Sequence, residues 1–281
     1  MNERRVMGDA VTTTATRNGA LAEHVTRSSL LAAQPGLVHG LTGRVPGLGR
    51  ADGNIGYSAP RDAADAWEMR QLWCAALGLS PESLVTVHQI HGASVARARM
   101  GDGGRGARPG SEPLARADAI ITDAPGITLL TLHADCLPIL FYDPVRRAIA
   151  AIHAGWRGTV SDVAGATVSA MQEAFGTKPE DLIAYLGSAI RLCCYEVGEE
   201  VVAAWRDLAG DDWPAAAEQR GDRWRFDVAL ANAVLLRRRG VPTEQIEINA
   251  ACTRCQGDRW FSHRGQGPDT GRFGAIIALS G

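Results

Sequence analysis

The chain has 281 residues, 46% hydrophobic and 21% charged, the balance of a globular protein with room for a substantial core. A net charge of −2 gives no field to hold nucleic acid or an anionic membrane, so neither is expected as a partner. Six cysteines without a regular framework, no secretory apolar segment and no unbroken membrane-length run point to a reducing cytoplasm.

Residues 1–35, rich in Thr, Ala and Arg, show no sustained periodicity and are expected to form a flexible tail before a single domain over 36–281. Residues 36–42 read as a first strand, followed by Arg44 and a glycine-rich loop to Gly56; Pro60 then opens a helix through about Leu79. Residues 84–95 read as strand, turn at Gly92 and strand. Alternation there sends His88 and His91 to opposite faces, and the strand-end His91 is the better placed for a site. Residues 100–116 form an exposed connection suited to the rim of a cleft. Strands are expected over 117–122 and 127–132, then over 137–142 and 148–152, the last two adjacent, buried and joined across Asp143-Pro144. A helix over 159–175, stopped by Gly176, is followed by a strand over 182–186 and a loop over 187–195. Helices over 199–208 and 228–239, and strands over 224–226, 246–249 and 275–279, complete the chain. Strands and helices mix without steady βαβ alternation, so the expected class is α+β, in one domain and without repeats.

Polar residues interrupt the central apolar pair at matching places. Asp135 and Cys136 precede the first strand and His153 ends the second, so a hairpin brings thiol and imidazole together. A thiolate beside an imidazole is either a nucleophile with its base or two-thirds of a zinc site. With His91 added, three ligands leave one tetrahedral position open, where a water would be acidified. Spacing alone leaves both readings open. The glycine clusters at 53–56 and 103–106 fit no nucleotide motif. Cys193-Cys194 and the lone CxxC at Cys252 and Cys255 read as buried or weakly structural thiols rather than ligands. Copper oxidation is disfavoured, because a trinuclear copper site needs clustered imidazoles and none of the seven histidines forms a His-x-His.

The run His133-Ala134-Asp135-Cys136-Leu137-Pro138, followed by His153-Ala154-Gly155-Trp156-Arg157-Gly158, resembles the signature of the YfiH-like laccase-domain family. Gln89-Ile90-His91-Gly92, Ala117-Asp118-Ala119, Cys193-Cys194-Tyr195-Glu196-Val197, Cys252-Thr253-Arg254-Cys255 and Phe261-Ser262-His263-Arg264 extend the resemblance over about residues 36–280. It implies an α+β sandwich, a zinc held by His91, Cys136 and His153, and a purine-nucleoside pocket. Implied activities are phosphorolysis of adenosine, inosine and methylthioadenosine, and adenosine deamination. Asp135 is then the proton-handling residue beside Cys136, and Arg44, Arg157 and Arg264 are the candidates for phosphate, because guanidinium forks suit that anion. His133 and His263 depart from the family pattern and place extra imidazoles near the site. A monomer is favoured. The alternatives are an amide hydrolase acting on cell-wall precursors, a zinc-stabilised binding protein and, last, a copper polyphenol oxidase.

Overall fold

The computed structural model describes residues 21–280. Strands β1 (Leu37–Leu41), β2 (Leu84–Val85), β3 (Val95–Arg97), β4 (Ala119–Thr122), β5 (Thr128–His133), β6 (Leu137–Asp143) and β7 (Ala148–Ala154) come first. They are followed by β8 (Ile183–Leu186), β9 (Glu196–Val197), β10 (Ala217–Arg220), β11 (Arg223–Phe226), β12 (Ile246–Ile248) and β13 (Phe273–Leu279). One sheet runs β12-β8-β6-β7-β4-β3, a second β1-β13-β5-β2, and a small third β10-β11-β9. Both large sheets mix parallel and antiparallel pairs. The α+β sandwich expected from the sequence is the architecture found.

The hairpin β6–β7 is the centre of the sandwich, and its side chains explain the layering. Ile139, Phe141, Ala150 and Ile152 pack toward the helices Val163–Phe175 and Val228–Arg238. Their alternates Leu140, Tyr142, Ile149 and Ala151 meet Leu129, Phe273, Ala275 and Ile277 of the second sheet. The far face of that sheet is covered by the helix Ala63–Ala76 through Met69 and Trp73 against Leu130 and Ile276. Both faces of β6 and β7 are therefore buried, which is why the sequence shows near-continuous apolar runs there.

Three expectations need correction. Of the flexible tail expected over 1–35, residues 1–20 lie outside the described residues, and 21–35 are packed against the domain: Leu21, Val25 and Leu31 are buried, and Thr26 bridges Leu41. The Glu247 carboxylate accepts hydrogen bonds from Ser28, Ser29 and Leu30, a tertiary contact that no local pattern reveals. The single helix over 159–175 is two, Trp156–Val160 and Val163–Phe175, broken at Asp162, which takes a left-handed φ of 55° and caps Gly165. Residues 84–95 are not two full strands, since β2 ends at Val85 and His88 makes only an isolated bridge with Arg116. Among the described residues no helix is long and apolar enough to cross a membrane.

Candidate metal centre

The site forms where the two large sheets part. β5 belongs to one sheet and β6 to the other, so Ala134, Asp135 and Cys136 cross between them at the end of the sandwich. β7 runs antiparallel to β6, pairing His153 with Pro138, so its C-terminal end returns to the same place. The residues before β4 arrive there too, because Ala119 pairs with Ile152. The turn carrying His91 sits alongside, and the ligand atoms of His91, Cys136 and His153 all lie within 4.8 Å of one another.

Asp118 holds this cluster together, and sequence reasoning gave it no role. Its Oδ1 accepts from His153 Nδ1 at 2.9 Å and from the His91 backbone N–H at 2.9 Å; Oδ2 accepts from the Gly92 N–H at 2.7 Å. One buried carboxylate thus fixes the His153 ring with Nδ1 protonated, leaving Nε2 toward Cys136, and pins the turn that presents His91. His91 itself has a φ of 60° and Asp135 one of 83°, left-handed conformations uncommon for non-glycine residues. His88 stays out of the cluster as expected, but the cause is this pinned turn rather than strand alternation. Gly155 is needed for space, since a Cβ there would stand 3.0 Å from Cys136 Sγ and 3.5 Å from His91 Cδ2.

The electrostatics favour a thiolate. Burial raises the Cys136 thiol, yet the charge of His153 and hydrogen bonds from His153 and His91 outweigh it and bring it below the ordinary thiol range. Burial lowers the His153 imidazole, while Cys136 and Asp118 carry it above its ordinary value. Without metal these shifts favour a thiolate–imidazolium pair, and a metal ion held by the cluster would take the place of the imidazolium proton. In the metal-free protein, alkylation of Cys136 by iodoacetamide should remain fast at pH 7 and slow only in more acid solution. A free thiol loses reactivity already below about pH 8.5. A Cys136 rate that falls with that ordinary profile would refute the ion pair.

His133 is not a fourth ligand. Its Nδ1 lies 3.1 Å from the Cys136 carbonyl and must donate to it, so Nε2, 2.9 Å from Thr131 Oγ1, accepts. Burial, with His153 beside it, keeps His133 neutral. His263 stands further out, on the wall of the cavity.

A cavity of about 650 Å³ opens onto the cluster, lined by Asp135, Cys136, Trp156, Tyr195, Arg264 and Arg272 among others. Asp135 is held on its wall by the Thr253 hydroxyl and the Arg264 backbone N–H, each at 2.6 Å. Gly106, Ser111 and Pro113 of the expected rim line it as well. The arginine expectations are partly corrected. Arg44 gives its fork to Asp52, with Nη2 at 2.8 Å, and Nη1 to the Gly257 carbonyl at 2.6 Å, so it braces two loops. Arg157 is exposed, lies over the Trp156 ring at 4.4 Å, and is not among the cavity-lining residues. Arg264 does line the cavity. Arg272, which the sequence did not single out as an anion ligand, joins it.

Residues 38–280 match the family described as multi-copper polyphenol oxidoreductase laccase. The chain is 32% identical over 246 residues to the purine nucleoside phosphorylase YlmD of Geobacillus stearothermophilus, covering 86% of this chain and 90% of that one. It is 41% identical over 164 residues to a purine nucleoside phosphorylase of Bacteroides thetaiotaomicron, 58% of this chain and 60% of the other. The crystal structure of the Geobacillus YlmD superposes with a TM-score of 0.86 at 31% identity, covering 90% of this chain and 94% of that one. A Bacillus licheniformis YfiH structure gives 0.82 at 30% identity, covering 86% and 92%. Sequence motifs and sandwich agree, and the chain belongs to the YfiH-like family of laccase-domain proteins.

Proposed function

We propose that the chain is a zinc-dependent purine nucleoside enzyme, cleaving adenosine, inosine and methylthioadenosine with phosphate and also deaminating adenosine. One observation carries this reading: a nucleoside-sized cavity has the His91, Cys136 and His153 cluster and three arginines, Arg70, Arg264 and Arg272, on its walls, in a chain whose relatives bear the name purine nucleoside phosphorylase. Two imidazoles and one thiolate suit zinc, and the Asp118–His153 pair is the carboxylate support that such ligands use. Copper oxidation of the multinuclear kind lacks the imidazoles it needs.

When bound, the zinc supplies a Lewis acid at the cavity wall. The chain's own residues supply the rest. Trp156, Ile190, Tyr195 and Val228 give an apolar wall for a flat base. Arg264 uses Nη1 on the Glu196 carbonyl, and Arg272 uses Nη1 on the Thr270 and Gly271 carbonyls, so each retains further N–H donors for phosphate oxygens. Asp135, fixed by Thr253 and Arg264, is positioned to take up or return a proton at the base.

The same geometry favours one competitor. Cys136, His153 and Asp118 stand in the order nucleophile, base and orienting carboxylate, which would serve a cysteine amide hydrolase. Product chromatography with adenosine or inosine, with and without phosphate and with and without a chelator, separates them. The expected result is free base only when phosphate and metal are both present. Base release without phosphate would make the protein a nucleoside hydrolase. No turnover of nucleosides, with amide cleavage that survives chelation, would establish the cysteine hydrolase instead.

A further inference from the structure

The four cysteines read from the sequence as buried or weakly structural thiols meet in the folded chain, and of the four only Cys252 is buried. Cys193 and Cys194 lie in the turn between β8 and β9, and Cys252 and Cys255 in the loop after β12. Their sulfur atoms all lie within 4.8 Å of one another. Cys255 Sγ is 3.3 Å from Cys194 Sγ and 3.6 Å from Cys193 Sγ. Four sulfurs around one zinc at about 2.3 Å stand about 3.8 Å apart along the edges of the tetrahedron. The observed spacings, from 3.3 Å to no more than 4.8 Å, lie around that figure and exceed the roughly 2.05 Å of a disulfide bond.

The backbone is arranged for thiolates as well. The Gln256 N–H donates to the Cys252 carbonyl at 3.0 Å, closing the CxxC turn so that both its sulfurs face the pair from the other loop. Backbone N–H groups of Cys255, Arg191 and Arg254 are directed at the Cys252 sulfur, donors that suit a metal-bound thiolate. Adjacent cysteines rarely converge in an extended strand, where neighbours point to opposite faces, but here residues 192–194 turn.

We infer that Cys193, Cys194, Cys252 and Cys255 form a second metal site, a closed structural site for a thiophilic divalent cation, zinc in the first instance. The ion clasps the loops that follow β8 and β12. Four protein ligands leave no open position, so the site is structural. Its position gives it a further effect. Thr253, between two of the ligands, donates the 2.6 Å hydrogen bond to Asp135, and its backbone N–H is held by the Ala189 carbonyl at 3.1 Å. The clasp therefore fixes one of the two donors that orient the cavity carboxylate.

The test is metal stoichiometry on the full chain, purified with zinc under reducing conditions. About two zinc ions per chain are expected, one for each cluster. Cys136→Ser should retain about one, and Cys255→Ser about one, while the double variant retains none. Cobalt loaded into the Cys136→Ser protein should show the intense thiolate-to-cobalt charge-transfer absorption of four sulfur ligands. That reading does not depend on Cys255→Ser folding. A Cys136→Ser protein that binds neither zinc nor cobalt would overturn the inference. So would mass spectrometry that finds disulfides among these four cysteines in the reduced preparation.

Discussion

Asp118→Asn should weaken zinc binding at the His91, Cys136 and His153 cluster by about 10- to 100-fold, the range for loss of a metal ligand's carboxylate partner. The substitution keeps the side chain's shape, so the effect isolates its chemistry. Every group facing Asp118 is a donor: the His153 Nδ1–H, the backbone N–H groups of His91 and Gly92, and more distantly that of Ile90 at 3.3 Å. A carboxylate has acceptor sites for all of them. An amide presents its own NH₂ to one side, so at least one donor is left facing a donor in a buried site. Imidazole also has less reason to keep its proton on Nδ1, and Nε2 is less surely the free nitrogen. Competition against a chromophoric chelator gives the affinity, and a thermal melt of the metal-free variant separates the metal effect from loss of the turn. Unchanged zinc affinity would mean that Asp118 serves the fold alone.

How far this site is readable in the sequence depends on how local its causes are. The β6–β7 hairpin was legible because both its faces are buried, so its apolar runs and the Asp143-Pro144 turn stand out. Cys136 and His153 were legible as polar residues placed at the ends of those runs. Asp118 stood in the matched run Ala117-Asp118-Ala119 without a role; its clue was its position directly before the apolar run 119–121, where a charge needs partners. Arg44 and Arg157 stand in or beside matched motifs, yet Asp52, Gly257 and the Trp156 ring decide where their guanidinium groups lie. The four-cysteine cluster joins residues 61 positions apart, Cys194 and Cys255, through the parallel pairing of β8 with β12. That pairing is set by the topology of the sheet, so neither cysteine pair discloses the other by spacing.

Arg272→Lys should lower kcat/KM for phosphorolysis by about 100-fold or more, the scale for removing one well-placed donor to developing or bound negative charge. The lysine keeps the charge and loses the fork, which is the feature phosphate uses. Arg272 lines the same cavity as Cys136 and Asp135. Burial lowers its guanidinium, and the charges of Cys136 and Asp135 work against that shift, so all three share one electrostatic environment. Deamination of adenosine, which takes no phosphate, should change only a few-fold, and that split distinguishes a phosphate ligand from a residue needed for the fold. Arg44→Lys is the control. Its ion pair with Asp52 is partly exposed, so a stability loss of up to about 1 kcal/mol is expected, with KM for phosphate unchanged. Steady-state kinetics at varied phosphate, with thermal melts on the same preparations, give both readings. Loss of phosphorolysis and deamination in equal measure in Arg272→Lys would remove this residue from phosphate binding. A rise in KM for phosphate in Arg44→Lys would return the anion site to the region around Arg44 and away from the cavity wall.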